Sequence, residues 1–240
     1  MNFSSALAAL LLLTGMASAT GINTNAALPV GEGTFVSRTQ GRWLDVEGEV
    51  DRYLASQTFA YGATGRLSLF GSLGYVWNEP GPNGVTDLAL FGRYRIWSRD
   101  AKRQTLAFSA ILGADLPTGK QPIGGLSAGV IAGLVGTWAK RDWNVDADIV
   151  QSFRFDAPDR TRADIAVSYA LLATRKLQFV GVLEANYRRQ GDDHLLFISP
   201  GLQLQMRNVI VEVSYQIQVA EDAARPSARS VAVLGVRLVF

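Results

Sequence analysis

The feature that most constrains this chain is a period of two. From Gly33 onward, apolar and polar residues alternate in segments of about ten, broken by Gly, Pro, Asp, Asn or basic clusters. Alternation of that length describes strands, and a tilted strand of about ten residues is long enough to cross a bilayer. Reading from turn to turn predicts twelve strands, at 33–44, 50–61, 66–77, 86–97, 104–115, 126–139, 143–154, 162–172, 177–188, 195–206, 209–219 and 230–240.

Several segments alternate cleanly enough to assign two faces. In the eleventh, Val211, Val213, Tyr215 and Ile217 oppose Glu212, Ser214, Gln216 and Gln218. In the seventh, Trp143, Val145, Ala147, Ile149 and Phe153 oppose Asn144, Asp146, Asp148 and Ser152. A soluble sandwich alternates too, so the connections must decide. Those after even segments are tight and often basic, such as Lys140 to Asp142 and Arg207 with Asn208. Those after odd segments are longer and rich in Pro, Gly and acid: Asn78 to Val85, Leu116 to Gly125, Asp156 to Thr161, Gly191 to Asp193 and Ala220 to Pro226. Short turns on one rim, longer loops on the other and both termini on the short-turn side are what an outer-membrane barrel requires. The expected fold is therefore all-β, a single antiparallel transmembrane β-barrel of about twelve strands at residues 33–240, in the bacterial outer membrane with lipid around it.

Aromatic residues at segment ends fit interfacial belts. Trp97, Trp138, Trp143, Phe179 and Phe240 fall toward the tight-turn rim, and Trp43, Trp77, Phe153 and Tyr187 toward the other. Trp97 is an exception, since strict alternation gives it the face of Arg93 and Arg95. Two segments fit less well. Leu126 to Trp138 is small or apolar on both faces and admits a short helix, while Pro200 lacks a ladder donor and implies a bulge or a broken pairing.

Hydrophobic residues make up 48% of the chain, yet no run of about 18 to 20 apolar residues exists that would span a bilayer as a helix. Before the strands, the apolar run Ala6 to Leu13 followed by Ala17-Ser18-Ala19 reads as a signal peptide over residues 1–19. Residues 20–32 are left as an N-terminal periplasmic segment. A formal charge of +2 without a Lys/Arg cluster argues against a nucleic-acid partner, and the absence of cysteine excludes disulfides and thiolate metal sites.

No catalytic residue, cofactor or metal site is expected. The lone histidine, His194, sits beside Asp192 and Asp193 in a loop, and no hydrolase constellation accompanies it. Acidic loop residues Asp156, Asp159, Asp192 and Asp193 lack a calcium-loop spacing, and Gly119-Lys120 lacks the remainder of a phosphate loop.

Charges in a membrane barrel belong inside it. The lumen-facing candidates are Arg38, Arg42, Arg93, Arg95 and Arg237, together with Asp146, Asp148, Asp164, Glu184 and Glu212. Arg38, Arg42 and Arg237 lie on the first and last segments, whereas the acids lie on the seventh, eighth, ninth and eleventh. Walls of opposite sign are the expectation.

The last segment, Val231 to Phe240, ends on Phe with Leu238, Val236 and Leu234 on its face. It resembles the closing-strand signal that barrel assembly machinery recognises. The stretches from Asn25 to Gly33, Tyr61 to Leu67, Leu116 to Gly119 and Ser199 to Leu202 appear in characteristic order. With the terminal Phe, they resemble the bacterial outer-membrane family named for the meta-pathway of phenol degradation, whose members are often labelled transporters. The resemblance runs from about Asn23 to Phe240. It implies a porin-like barrel acting as a passive channel or transporter for small molecules, with aromatic compounds suggested by the family name alone. The alternative is a non-conducting barrel whose lumen is closed by salt bridges and which serves a structural or partner-binding role.

Overall fold

In a computed structural model, residues 21–46, 51–78, 81–121, 123–124, 127–174, 176–222 and 228–240 are described. The expected signal peptide at 1–19 lies outside them. Among the described residues the chain forms an up-and-down antiparallel meander: β1 Phe35–Val46, β2 Arg52–Gly62, β3 Leu67–Trp77, β4 Gly84–Val85, β5 Leu88–Ala101, β6 Gln104–Leu116 and β7 Gly129–Lys140. It continues with β8 Trp143–Arg154, β9 Arg160–Ala173, β10 Leu177–Gln190, β11 Asp193–Met206, β12 Val209–Asp222 and β13 Ala228–Val239. β4 is a two-residue strand on the outer part of β3, so twelve strands form the wall.

Each wall strand pairs with its neighbours, and β1 pairs with both β2 and β13, which closes the sheet into a barrel. Closure leaves no open sheet edge, so the wall strands satisfy their backbone groups on one another and not on lipid. Twelve strands about 4.8 Å apart, tilted near 40°, make a ring roughly 25 Å across.

The barrel is inside-out relative to a soluble domain. Its outer surface carries the exposed side chains of Leu112, Leu134, Ile149, Leu183, Val213, Tyr215 and Leu234, while Asp146, Glu184, Asn186, Gln203 and Glu212 are fully buried inside. Aromatic side chains stand exposed toward both ends, with Trp143 against Tyr169 and Trp97 against Phe108 at the tight-turn end and Trp43 against Tyr53 at the other.

Two expectations change. Trp97 does not share a face with Arg93: Arg95 pairs with Ser109 and Trp97 with Phe108, leaving Ile96 as a bulge. One inserted residue turns everything beyond it to the opposite face, and Trp97 points outward. The connection at Gly191 is not a long loop, because Gln190 pairs with Asp193 and Gly191 takes a φ of 62° in a two-residue turn. The strand expected at 126–139 is present as β7, Gly129–Lys140, and the helical alternative for that stretch falls away.

Pro200 does not alter the strand count. It pairs with Leu183 of β10, but toward β12 the ladder is interrupted as expected, running from Ile198 opposite Ile217 to Gly201 opposite Ser214 with Ser199 and Pro200 unpaired, and a separate register shift falls at Leu196 and Phe197.

Candidate functional site in the lumen

Residues 20–32 were expected in the periplasm, but Gly21 to Val30 run inside the barrel. The chain leaves the tight-turn rim at Gly33, whose N–H donates to Gly62 O, and crosses the lumen from the β3 wall to the β10 wall. The physical reason is in the residues. Ile22, Ala26, Ala27 and Leu28 are too apolar for a solvated tail, and the backbone between them supplies donors that the acidic wall accepts.

The contacts run in sequence along the segment. Val30 N donates to Ser68 Oγ at 2.8 Å, and Arg93 donates to Leu28 O at 2.8 Å. Ser109 Oγ donates to Ala27 O at 2.5 Å, while Ala27 N donates to Thr137 Oγ1 at 2.7 Å. Thr137 passes its own hydroxyl hydrogen to Asp146 at 2.5 Å. Asn25 N donates to Asp148 at 2.5 Å. Glu184 receives Asn23 N at 3.0 Å, Asn23 Nδ2 at 2.6 Å, Thr24 N at 3.1 Å and Thr24 Oγ1 at 3.0 Å. At the far end, Ile22 O accepts from Arg38.

Two small apolar clusters anchor the segment. Ile22 packs with Val180, Val182, Val231 and Val233, and Ala27 with Ala107, Ile111, Ile131 and Val135. Glycine makes the fit. A Cβ on Gly62 would stand 1.9 Å from Gly31 O, and one on Gly201 would stand 2.6 Å from the Ile22 side chain. Both glycines belong to the short stretches that carried the family resemblance.

The expected lumen charges are inside, but their pairing differs from opposed walls. Glu212 on β12 takes Arg237 Nη2 at 3.3 Å from the adjoining β13, and Arg38 Nε at 2.7 Å and Gln40 Nε2 at 3.1 Å from β1, one strand further on. Asp164 is shared by Arg162, at 3.2 Å, and Arg188, and Asp148 lies 3.3 Å from Arg162. Glu212, Asp148 and Asp164 are thus covered by arginines on the same or nearby strands, because a short reach along the wall costs less desolvation than a pair held across the lumen. Arg93 sits over the Phe70 ring at 4.8 Å. Arg95 reaches only Gly65 O at the tight-turn rim, at 3.0 Å. Arg42 Nη2 donates to Asn23 Oδ1 at 3.3 Å.

Sequence reasoning put Arg188 on the polar face of its strand with Glu184 but named neither it nor Arg162 among the lumen charges. Both have the parity of Asp164 and Glu184 on their strands, so the alternation that found the acids extends to them. Outside the lumen, His194 Nδ1 is bonded to Tyr187 OH at 2.6 Å, and Asp159 accepts from Arg154 N at 3.0 Å.

Solved structures share this architecture. The COG4313 outer membrane channel from Pseudomonas putida F1 aligns with a TM-score of 0.68 at 14% identity, covering 93% of this chain and 100% of that one. The KdgM porin aligns at 0.52 and 11% identity, covering 85% and 99%, and the NanC porin at 0.51 and 12%, covering 83% and 98%. These likenesses are of fold, that of bacterial outer-membrane barrels. No curated protein matches the sequence significantly. The family model described as "Putative MetA-pathway of phenol degradation" matches residues 17–228, and with nearly the whole barrel and its lumen segment inside that match, the chain belongs to this outer-membrane family.

Proposed function

We propose that the barrel is a passive channel for small molecules, gated by residues 21–30. The observation that carries this reading is how the segment is held. It adds no strand to the sheet, and its polar contacts run to side chains of the wall. Releasing it breaks no ladder bond, so the wall survives while the passage widens.

The porin-like fold of the solved relatives supports a channel, and the family description makes aromatic solutes the first to test. Diffusion through the lumen needs neither a cofactor nor covalent chemistry. The test is conductance in planar bilayers, for the full barrel and for a variant lacking residues 22–30, with and without aromatic acids. Larger, more frequent openings in the variant support gating. Equal currents in both refute it.

The second reading, a closed structural barrel, is favoured by the four donors on Glu184 and by the Ile22 anchor. Silence of the full barrel under every solute, with leakage only in the deletion variant, would establish it. Recognition of Phe240 by the assembly machinery belongs to the same proposal. The residue is 69% exposed while its backbone bonds to Phe35, and removing it should lower the outer-membrane yield.

A further inference from the structure

The charges inside the barrel are unequally accessible. The carboxylates of Asp148, Asp164 and Glu212 have side chains 0% exposed, whereas Arg162 is 35% and Arg188 30% exposed. Acids lie behind and guanidinium groups in front, so a solute meets cations. Arg162 and Arg188 also stand directly opposite each other in the β9–β10 register, two like charges sharing Asp164.

Arg42 completes the arrangement from β1. It forms no ion pair among the described residues, its one hydrogen bond goes to the neutral amide of Asn23, and its Nε is buried without a partner. The charged side chains that act on it are Arg188, Arg38, Arg162 and Glu184, three cations against one acid. Glu184's oxygens are taken up by Asn23 and Thr24, so the Arg42 guanidinium is left short of counter-charge, and a carboxylate is the group whose two oxygens match its fork. The wall beside it is apolar: Arg42 pairs with Val233, and the next inward residue, Leu44, pairs with Val231, both valines belonging to the Ile22 cluster.

We propose that the lumen holds a subsite for an organic carboxylate with an apolar body, Arg42 taking the carboxylate, Arg162 and Arg188 flanking it, and Leu44 with Val231 facing the body. Asn23 forms the floor, so the ligand sits on the gating segment. The inference rests on the reading that solutes reach this part of the lumen.

Calorimetric titration of the full barrel in detergent tests it without needing conduction. Benzoate is the probe, benzamide its uncharged counterpart and acetate the acid without a body. Benzoate should bind most tightly, and Arg42→Gln should weaken it at least about tenfold, the worth of one charge-assisted hydrogen bond. Arg42→Lys should recover most of the loss, and heat-dependent gel mobility reports folding of each variant. The subsite is overturned by benzamide or acetate matching benzoate, by undiminished binding in Arg42→Gln, or by no benzoate binding to the folded wild type. Should Arg42→Gln fail to fold, Arg42→Lys decides: tight benzoate binding sustains the subsite, and its loss overturns it. Binding without any conductance leaves the subsite standing and sinks the channel; conductance without binding does the reverse.

Discussion

Replacing Glu184 by Gln should loosen the segment without harming the wall. Glu184 is fully buried and forms no ion pair among the described residues; the groups that hydrogen-bond its carboxylate are those of Asn23 and Thr24. No direct ion pair is broken when the charge is removed, which separates this change from the loss of Glu212 with its two arginines. Glutamine keeps one acceptor oxygen and turns an NH2 toward groups that also donate, so about two of the four contacts are lost. At about 1.5 kcal/mol each, the lower end for bonds to a charged group, the released state gains about 3 kcal/mol. That shift raises the open-to-closed ratio on the order of a hundredfold. Single-channel recording reads it as open probability, and protease digestion from the tight-turn side reads it as cleavage within residues 22–30. An unchanged open probability together with unchanged protection would refute the view that Glu184 latches the segment.

Three further outcomes follow from the geometry. Leu134→Arg, on the exposed face at the middle of β7, should cost about 2–4 kcal/mol in urea unfolding from vesicles, and no change would contradict a hydrocarbon environment there. The chain has no native cysteine, so cysteine at Asn83 should label on intact cells and at Asp100 should not; the reverse pattern would invert the topology. Gly62→Ala forces a Cβ to within 1.9 Å of Gly31 O, and a loss of about 1–3 kcal/mol in thermal unfolding should accompany displacement of the segment.

Wall geometry was readable in the sequence because a strand that faces lipid on one side and polar lumen on the other repeats its choice every second residue. Val211 to Gln218 illustrates this, with Val213, Tyr215 and Ile217 exposed, Val211 partly so, and Glu212, Ser214 and Gln216 buried. Trp97 escaped because a bulge changes parity without a marker in composition. The Gly191 turn escaped because Arg188, Arg189 and Gln190 look like loop residues, although they pair with Arg160 to Arg162 and with Asp193 to Leu195. Gly21 to Val30 has neither period, since its conformation answers to the wall around it and not to a face of its own. Its apolar residues were the available signal.

The join between the first and last strands has a consequence for assembly. Arg38 and Arg237 stand directly opposite each other across the β1–β13 seam, and both turn to Glu212 on β12. Two like charges brought together there would oppose closure until that carboxylate is in position. A slip of two residues along the seam would keep every side chain on its proper face, so alternation alone tolerates it. It would, however, separate the arginines from each other and draw Arg38 from its acid. The seam carries an electrostatic checksum, and a barrel that closes out of register fails it.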